Sequence, residues 1–306
     1  MIIDTRIRPP YKGFTAGKDS LIHNFEHATK WSGMFGGHAA PSVRTHSLDD
    51  CLAEMDAAGI DFAIAPGRKG QDHMWVDNQD VVDLTEDYPD RFAGIASIFP
   101  EDPMEYNLEQ IKKYCIDGPL LGVSLETGLV ADVEGATPRF VDDHKFWPIY
   151  ELCEKHGVVV SFTHNAPAYP DTSGSDPVRL KHIYDDFPRL KTLLVHGCWP
   201  HVNEIAAYLF LNKNVMVQPD FYIMNTAGWR GYVDSANYMN PGNYVFASSY
   251  PLGDMSVLVD YYLNCGFLDH ILPRIMYQNA ADFFNLDASK LKRLPGSPVA
   301  DDFDIA

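Results

Sequence analysis

The sequence predicts a single-domain α/β fold, a (β/α)8 TIM barrel with a long loop after strand one, on three observations. Eight short apolar runs recur along the chain, and amphipathic segments of helix length separate them. Apolar strands joined by helical crossovers build a parallel sheet covered on both faces. Eight such units in about 290 residues match a closed barrel in size. The competing open, doubly wound sheet wants a glycine-rich phosphate turn after its first strand. The chain has neither G-x-G-x-x-G after a strand nor G-x-x-x-x-G-K-[ST], and no G-x-S-x-G elbow.

The first ten residues, MIIDTRIRPP, read as a short buried strand that stops at a Pro pair. Side chains alternate along a strand, so Asp4, Arg6 and Arg8 share one face. Three charges on an otherwise apolar strand are costly unless paired or wet, which marks them as a candidate site. The segment from Tyr11 to Ser47 carries Gly13, Gly17, Gly33, Gly36 and Gly37, aromatic residues and four histidines. Its length and aromatic content predict an ordered lid or an oligomer contact. His23 and His27, four apart without a carboxylate pattern, read as a helix face.

From Ser47 the repeat begins. Ser47-Leu-Asp-Asp starts a helix that runs to Gly59. Strands are predicted over 61–66, 91–100, 120–126, 158–164, 190–196, 215–220 and 244–249. Helices are predicted over 76–88, 104–116, 144–156, 177–186, 201–211, 228–238, 254–265 and 269–284. The barrel domain is placed at 1–290 and a tail at 291–306.

Composition narrows the function classes. The chain of 306 residues is 46% hydrophobic, enough for a large core. Formal net charge is −18, with 24 Lys+Arg against 42 Asp+Glu. That balance argues against nucleic acid or an anionic membrane as partner through a basic surface, but leaves room for a local basic pocket. No stretch reaches the ~20 apolar residues of a membrane span, and the opening Ile2-Ile3-Asp4 is no signal peptide. Five widely spaced cysteines without a CxxC pair read as reduced, mostly buried thiols of a cytoplasmic protein, Cys198 among them.

Barrel chemistry sits at the C-terminal ends of the strands. Strand one offers Arg6 and Arg8 there, strand four Glu126, strand five His164 and strand six His196. Strand seven offers Gln218 and Asp220, and strand eight Ser248, Ser249 and Tyr250. Convergence of guanidiniums, carboxylates and imidazoles on one barrel end defines a mixed-charge site.

Several stretches carry a family resemblance: Ile2-Ile3-Asp4, the run from Val158 to His164, Leu190 through His196-Gly197, Ala247-Ser-Ser-Tyr-Pro251, and Gln278-Asn279-Ala280. In these the chain resembles the amidohydrolase-2 group of the amidohydrolase superfamily, which includes aminocarboxymuconate-semialdehyde decarboxylase-like enzymes and lactonases. The resemblance implies the same barrel and usually a divalent metal. It also marks His164 as a usual ligand position and His196 as a catalytic or neighbouring group. The departures are specific. Arg6 and Arg8 stand where the family carries His-x-His, and Ser249 where it carries the strand-eight Asp. A guanidinium has no lone pair to give a metal.

The site therefore either works without metal, or holds one divalent ion elsewhere, zinc being the expected ion with Glu126, His196 and Asp220 as its N/O ligands, or has lost catalysis. The leading expectation is an enzyme hydrolysing a small carboxylated lactone, ester or amide. Arg6 and Arg8 would hold the anion or growing oxyanion. Asp220 or His196 would be general base, with Glu126 orienting an Arg or serving as acid. Tyr250 would donate a hydrogen bond, and His164 completes the candidate set. Decarboxylation is the alternative reaction, and a silent barrel binding an anionic metabolite is the non-enzymatic one. A homodimer is expected on base rate.

Overall fold

The computed structural model describes residues 1–15, 24–70, 75–128, 138–287, 291 and 293–294. Seven strands pair in chain order, all in parallel. They are β1 (Ile3–Asp4), β2 (Phe62–Pro66), β3 (Phe92–Ile98), β4 (Gly122–Leu125), β5 (Val159–Thr163), β6 (Thr192–Val195) and β7 (Val215–Gln218). The helices are α1 (Phe25–Met34), α2 (Ser42–Thr45), α3 (Leu48–Ala58), α4 (Asn78–Asp87), α5 (Met104–Ile111), α6 (Trp147–His156), α7 (Val178–Asp186), α8 (Val202–Leu211), α9 (Arg230–Asp234), α10 (Met255–Asn264) and α11 (Asn279–Phe284). The predicted barrel is the observed one, and α3 shows why its bounds were readable. Ser47 accepts the backbone N–H of Asp50 at 3.2 Å, and Gly59 leaves the helix at φ 74°.

The eighth predicted strand is not a regular strand. Residues 244–250 make isolated parallel bridges, Tyr244 to Val217 and Tyr250 to Ile7. Backbone bonds from Val245 to Val217, Thr5 to Phe246 and Arg8 to Tyr250, each 3.1 Å, still close the ring. The ladder fails because of a side chain distant in sequence. Ser248 gives its N–H to both carboxylate oxygens of Asp4 at 3.1 Å, and Ser249 is left-handed at φ 55°. Asp4 also takes the N–H of Arg6 at 2.9 Å, which ends β1. Burial raises the Asp4 carboxyl to about 7, against the pull of these donors. Asp4 thus serves the backbone, and only Arg6 and Arg8 of the predicted charged face reach the barrel mouth.

Inside the barrel, Ile3, Phe62, Ile64, Ile95, Val159 and Met216 plug the N-terminal end. That plug is a packed floor, which leaves the C-terminal end as the open bowl. The start of the predicted tail docks under the floor: Leu291 packs on this cluster and Leu294 gives its N–H to Asp61 at 2.5 Å. The rest of 291–306 lies outside the described residues. Between strands and helices lies the larger apolar layer, which holds Cys51, Cys153 and Cys198.

The long loop after β1 is ordered where described and folds back over the bowl. Ser32 of α1 donates to the carbonyl of Leu252, and Asn225 donates to the carbonyl of Phe35 at 3.1 Å. His23 lies outside the described residues. Among the described residues no helix is long and apolar enough to cross a membrane.

Candidate active site

A cavity of about 240 Å³ opens at the C-terminal ends of the strands. Among the described residues its charged lining is cationic: Arg6, Arg8 and Arg68. Glu126 lies behind them at 2% exposure, with Oε1 3.3 Å from Arg8 Nη2 and Oε2 2.9 Å from Arg68 Nε. Burial pushes the Glu126 carboxyl up, but Arg68, Arg8 and Arg6 outweigh it and hold the group ionised, below its ordinary range. Arg8 is fixed further by its Nε bond to the carbonyl of Pro66 at 3.2 Å. Arg6 differs from both neighbours. Its guanidinium lines the cavity and makes no hydrogen bond or ion pair among the described residues. Burial lowers it to about 10, which still leaves it charged at neutral pH.

Beside this basic pole sits a second group built by β6, β7 and the closing run. Nδ1 of His196 lies 2.6 Å from Oδ2 of the fully buried Asp220, at ion-pair distance though off the line of a hydrogen bond. The Ser249 hydroxyl donates to that same oxygen at 2.9 Å. His196, Asp220 and Ser249 have φ of 68°, 47° and 55°, so all three strand ends turn left-handed where their side chains meet. Such backbone costs about 1–3 kcal/mol per residue and persists where the surroundings impose it, commonly at functional sites. Burial lowers His196 below its ordinary value; Asp220 pulls the other way, and Arg6 and Arg8 add to the lowering. The imidazole is therefore neutral at pH 7, with Nε2 left to the cavity.

The structure thus brings together Arg6, Arg8, Glu126, His196 and Asp220. It does not bring His164 to them. Strand alternation points Thr163 and Asn165 into the cavity, while His164 packs behind the wall with Phe162 and Tyr169. Its Nδ1 is 3.1 Å from the Tyr169 hydroxyl, and burial depresses it to about 3. Tyr250 lines the cavity, but its hydroxyl is engaged by Ser42 at 2.7 Å.

Several lining residues escaped the sequence reading. Arg68 stands two residues past Pro66, the last residue of β2, close to the strand end that singled out the others, so part of its signal is present. His27 and Trp31 of α1 also line the cavity, where a helix face was expected for His27. Only the folding back of the loop places them there, which no local pattern announces.

The Glu126, His196 and Asp220 set does not fit the divalent ion that the resemblance implies. Both oxygens of Glu126 are engaged by guanidiniums, and Oδ2 of Asp220 by Ser249 and His196. The alternative ligand set of Glu126, His196 and Asp220 is therefore divided between two clusters. Among the described residues no group of three or more His, Cys, Asp or Glu side chains is placed to hold a metal.

The amidohydrolase family model matches residues 3–286, and the chain belongs to that family, in its amidohydrolase-2 group. Among solved structures it is similar to an uncharacterized TIM-barrel protein, Bb4693, from Bordetella bronchiseptica. The two are 28% identical with a TM-score of 0.86, covering 93% of this chain and 98% of that one. It shares its fold with 5-carboxyvanillate decarboxylase from Sphingomonas paucimobilis at 16% identity and TM-score 0.63, covering 93% and 98% of the two chains. The same holds for dihydroxybenzoic acid decarboxylase from Polaromonas sp. JS666, with bound manganese and the inhibitor 2-nitroresorcinol, at 15% identity, TM-score 0.65 and coverage of 95% and 99%. Comparison with the curated proteins finds no match.

Proposed function

We propose that this barrel is an enzyme hydrolysing a small carboxylated substrate, a lactone or ester, with protein cations in place of the family's metal. One observation carries the reading: the Arg6 guanidinium, without a partner among the described residues, and the neutral His196, backed by Asp220, face the same small cavity. Arg6, assisted by Arg8, holds the substrate carboxylate or the oxyanion growing from the attacked carbonyl. Nε2 of His196 takes a proton from water as it attacks. Asp220 beside Nδ1 favours the Nδ1–H tautomer and stabilises the imidazolium that forms, and Ser249 anchors Asp220. Glu126 orients Arg8 and Arg68.

Decarboxylation is the second reading, favoured by the aromatic wall of Trp31, Phe221 and Tyr222 and by the reactions named for the structural neighbours. In it the guanidiniums hold the carboxylate, and a His196 carrying the proton delivers it to carbon. A panel of lactones, esters and aromatic carboxylates, run with and without chelator, separates the readings. Acid release without CO2 supports hydrolysis, and CO2 release supports decarboxylation. Stabilisation by anions with neither product supports a binding barrel. Loss of activity in chelator would overturn the metal-independent reading.

The pH dependence has a definite sign. A general base works when neutral, and His196 is neutral to lower pH than an ordinary imidazole. The acid limb of kcat/KM is therefore expected below about pH 6.5. A limb above that value would remove His196 from the role.

A further inference from the structure

Hydrolysis with His196 as base leaves a second proton to be supplied. An alkoxide is a poor leaving group, so the oxygen that departs from the acyl carbon needs a hydrogen as its bond breaks. Among the described residues that line the cavity, the hydroxyls are committed or hard to ionise. Ser249 donates to Asp220 at 2.9 Å, and the Tyr250 hydroxyl lies 2.7 Å from that of Ser42. Thr163 Oγ1 is buried in the wall. Burial pushes the Tyr222 and Tyr250 phenols well above their ordinary values, so neither gives up a proton readily. Arg6, at about 10, stays charged and is taken up with the anion.

His27 differs from all of these. It lines the cavity from α1 and is only half-buried, so its imidazole can exchange protons with solvent, whereas His196 is 7% exposed. Asn24 caps α1 by accepting the His27 N–H at 3.0 Å. Trp31, one turn on and therefore on the same helix face, lines the same cavity with its ring 6.1 Å from the imidazole. The far end of the helix is anchored. Ser32 donates to the carbonyl of Leu252, and the Phe35 ring packs on Phe221 at 4.6 Å and Tyr222 at 5.2 Å. Those two rings also pack against His196, at 5.3 and 5.4 Å. α1 is thus braced on the wall that holds the proposed base, and it brings a second imidazole to the cavity.

We propose that His27 is the general acid of the reaction, giving its proton to the leaving oxygen while His196 serves the attacking water; this rests on the hydrolytic reading above. The water oxygen bonds to the acyl carbon as Nε2 of His196 takes one of its protons. The bond from that carbon to the leaving oxygen then breaks, its electron pair goes to the oxygen, and the His27 imidazolium protonates it. An ester yields acid and alcohol, a lactone the hydroxy acid. His196 releases its proton to water and His27 takes one back, so the cycle balances.

Leaving-group dependence tests this on wild-type protein, His27→Gln and His27→Ala, with the methyl and 4-nitrophenyl monoesters of glutaric acid. Methoxide needs the acid, whereas nitrophenolate departs as a stable anion. Both variants are expected to lose about 100-fold in kcat/KM on the methyl ester and no more than about threefold on the aryl ester. The aryl ester also reports that the variants are folded with a working base. A purely structural role for His27 would slow both esters alike, and that result overturns the proposal. So does an unchanged rate on both, or a wild type that cleaves the aryl ester alone. A wild type that cleaves neither ester shows instead that the hydrolytic reading has failed, and the acid role falls with it.

Discussion

Replacing Arg6 by Ala is expected to lower kcat/KM by about 10³-fold, equivalent to about 4 kcal/mol of transition-state stabilisation, with little change in melting temperature. Both halves follow from the same geometry. The guanidinium is buried in the cavity wall, where charge-assisted hydrogen bonds to an anion are strong. It makes no bond to protein among the described residues, so its loss strands no partner and leaves the Arg8–Glu126–Arg68 cluster in place. Arg6→Lys keeps the charge but loses the planar fork and should recover only part of the activity. Steady-state kinetics beside a thermal melt checks the split. Full activity in Arg6→Ala would remove this residue from the mechanism.

Glu126→Ala is expected to act in the opposite way, first on stability. It is the carboxylate between Arg8 and Arg68, and all three are nearly or fully buried. Removing it leaves two cations facing each other beside Arg6. Breaking a buried pair from one side typically costs about 3–5 kcal/mol, because the remaining charge is uncompensated. In a chain of this size that corresponds to a fall in melting temperature on the order of 10 °C. A saturating small carboxylate should recover part of the loss by entering the basic pole. Glu126→Gln should fall between wild type and Ala, since it keeps hydrogen-bond acceptance without charge. A melt that does not move would show that the Arg8–Glu126–Arg68 cluster does not hold the basic pole together.

Most of the fold was legible because its signals are local. Ser47 and Gly59 mark the ends of α3 by capping chemistry, and the apolar runs of β2 to β7 mark buried parallel strands by composition alone. The closing run was misread as a strand, since its apolar residues carry the same signal. What breaks its ladder is a side chain from the far end of the sequence, Asp4. The basic pole and the His196–Asp220 contact were legible for a topological reason: last residues of parallel strands converge. His164 satisfied that rule too, yet alternation turns it behind the wall, and Thr163 and Asn165 take the inward places. Where a strand stops by one residue decides which side chains enter, and periodicity does not resolve one residue. Trp31 and His27 depend on how a long loop returns, which is encoded in tertiary contacts such as Asn225 to Phe35.

The Asp4–Ser248 contact joins positions 244 residues apart. The two edges of the sheet are therefore clasped by groups far apart in the order of synthesis. A nascent chain on the ribosome makes β1 well before Ser248, and must hold that strand with one edge unfilled until the closing run emerges. Closure of such a ring is a late, non-local event in folding, and the waiting edge is the part that a chaperone would be called on to shield.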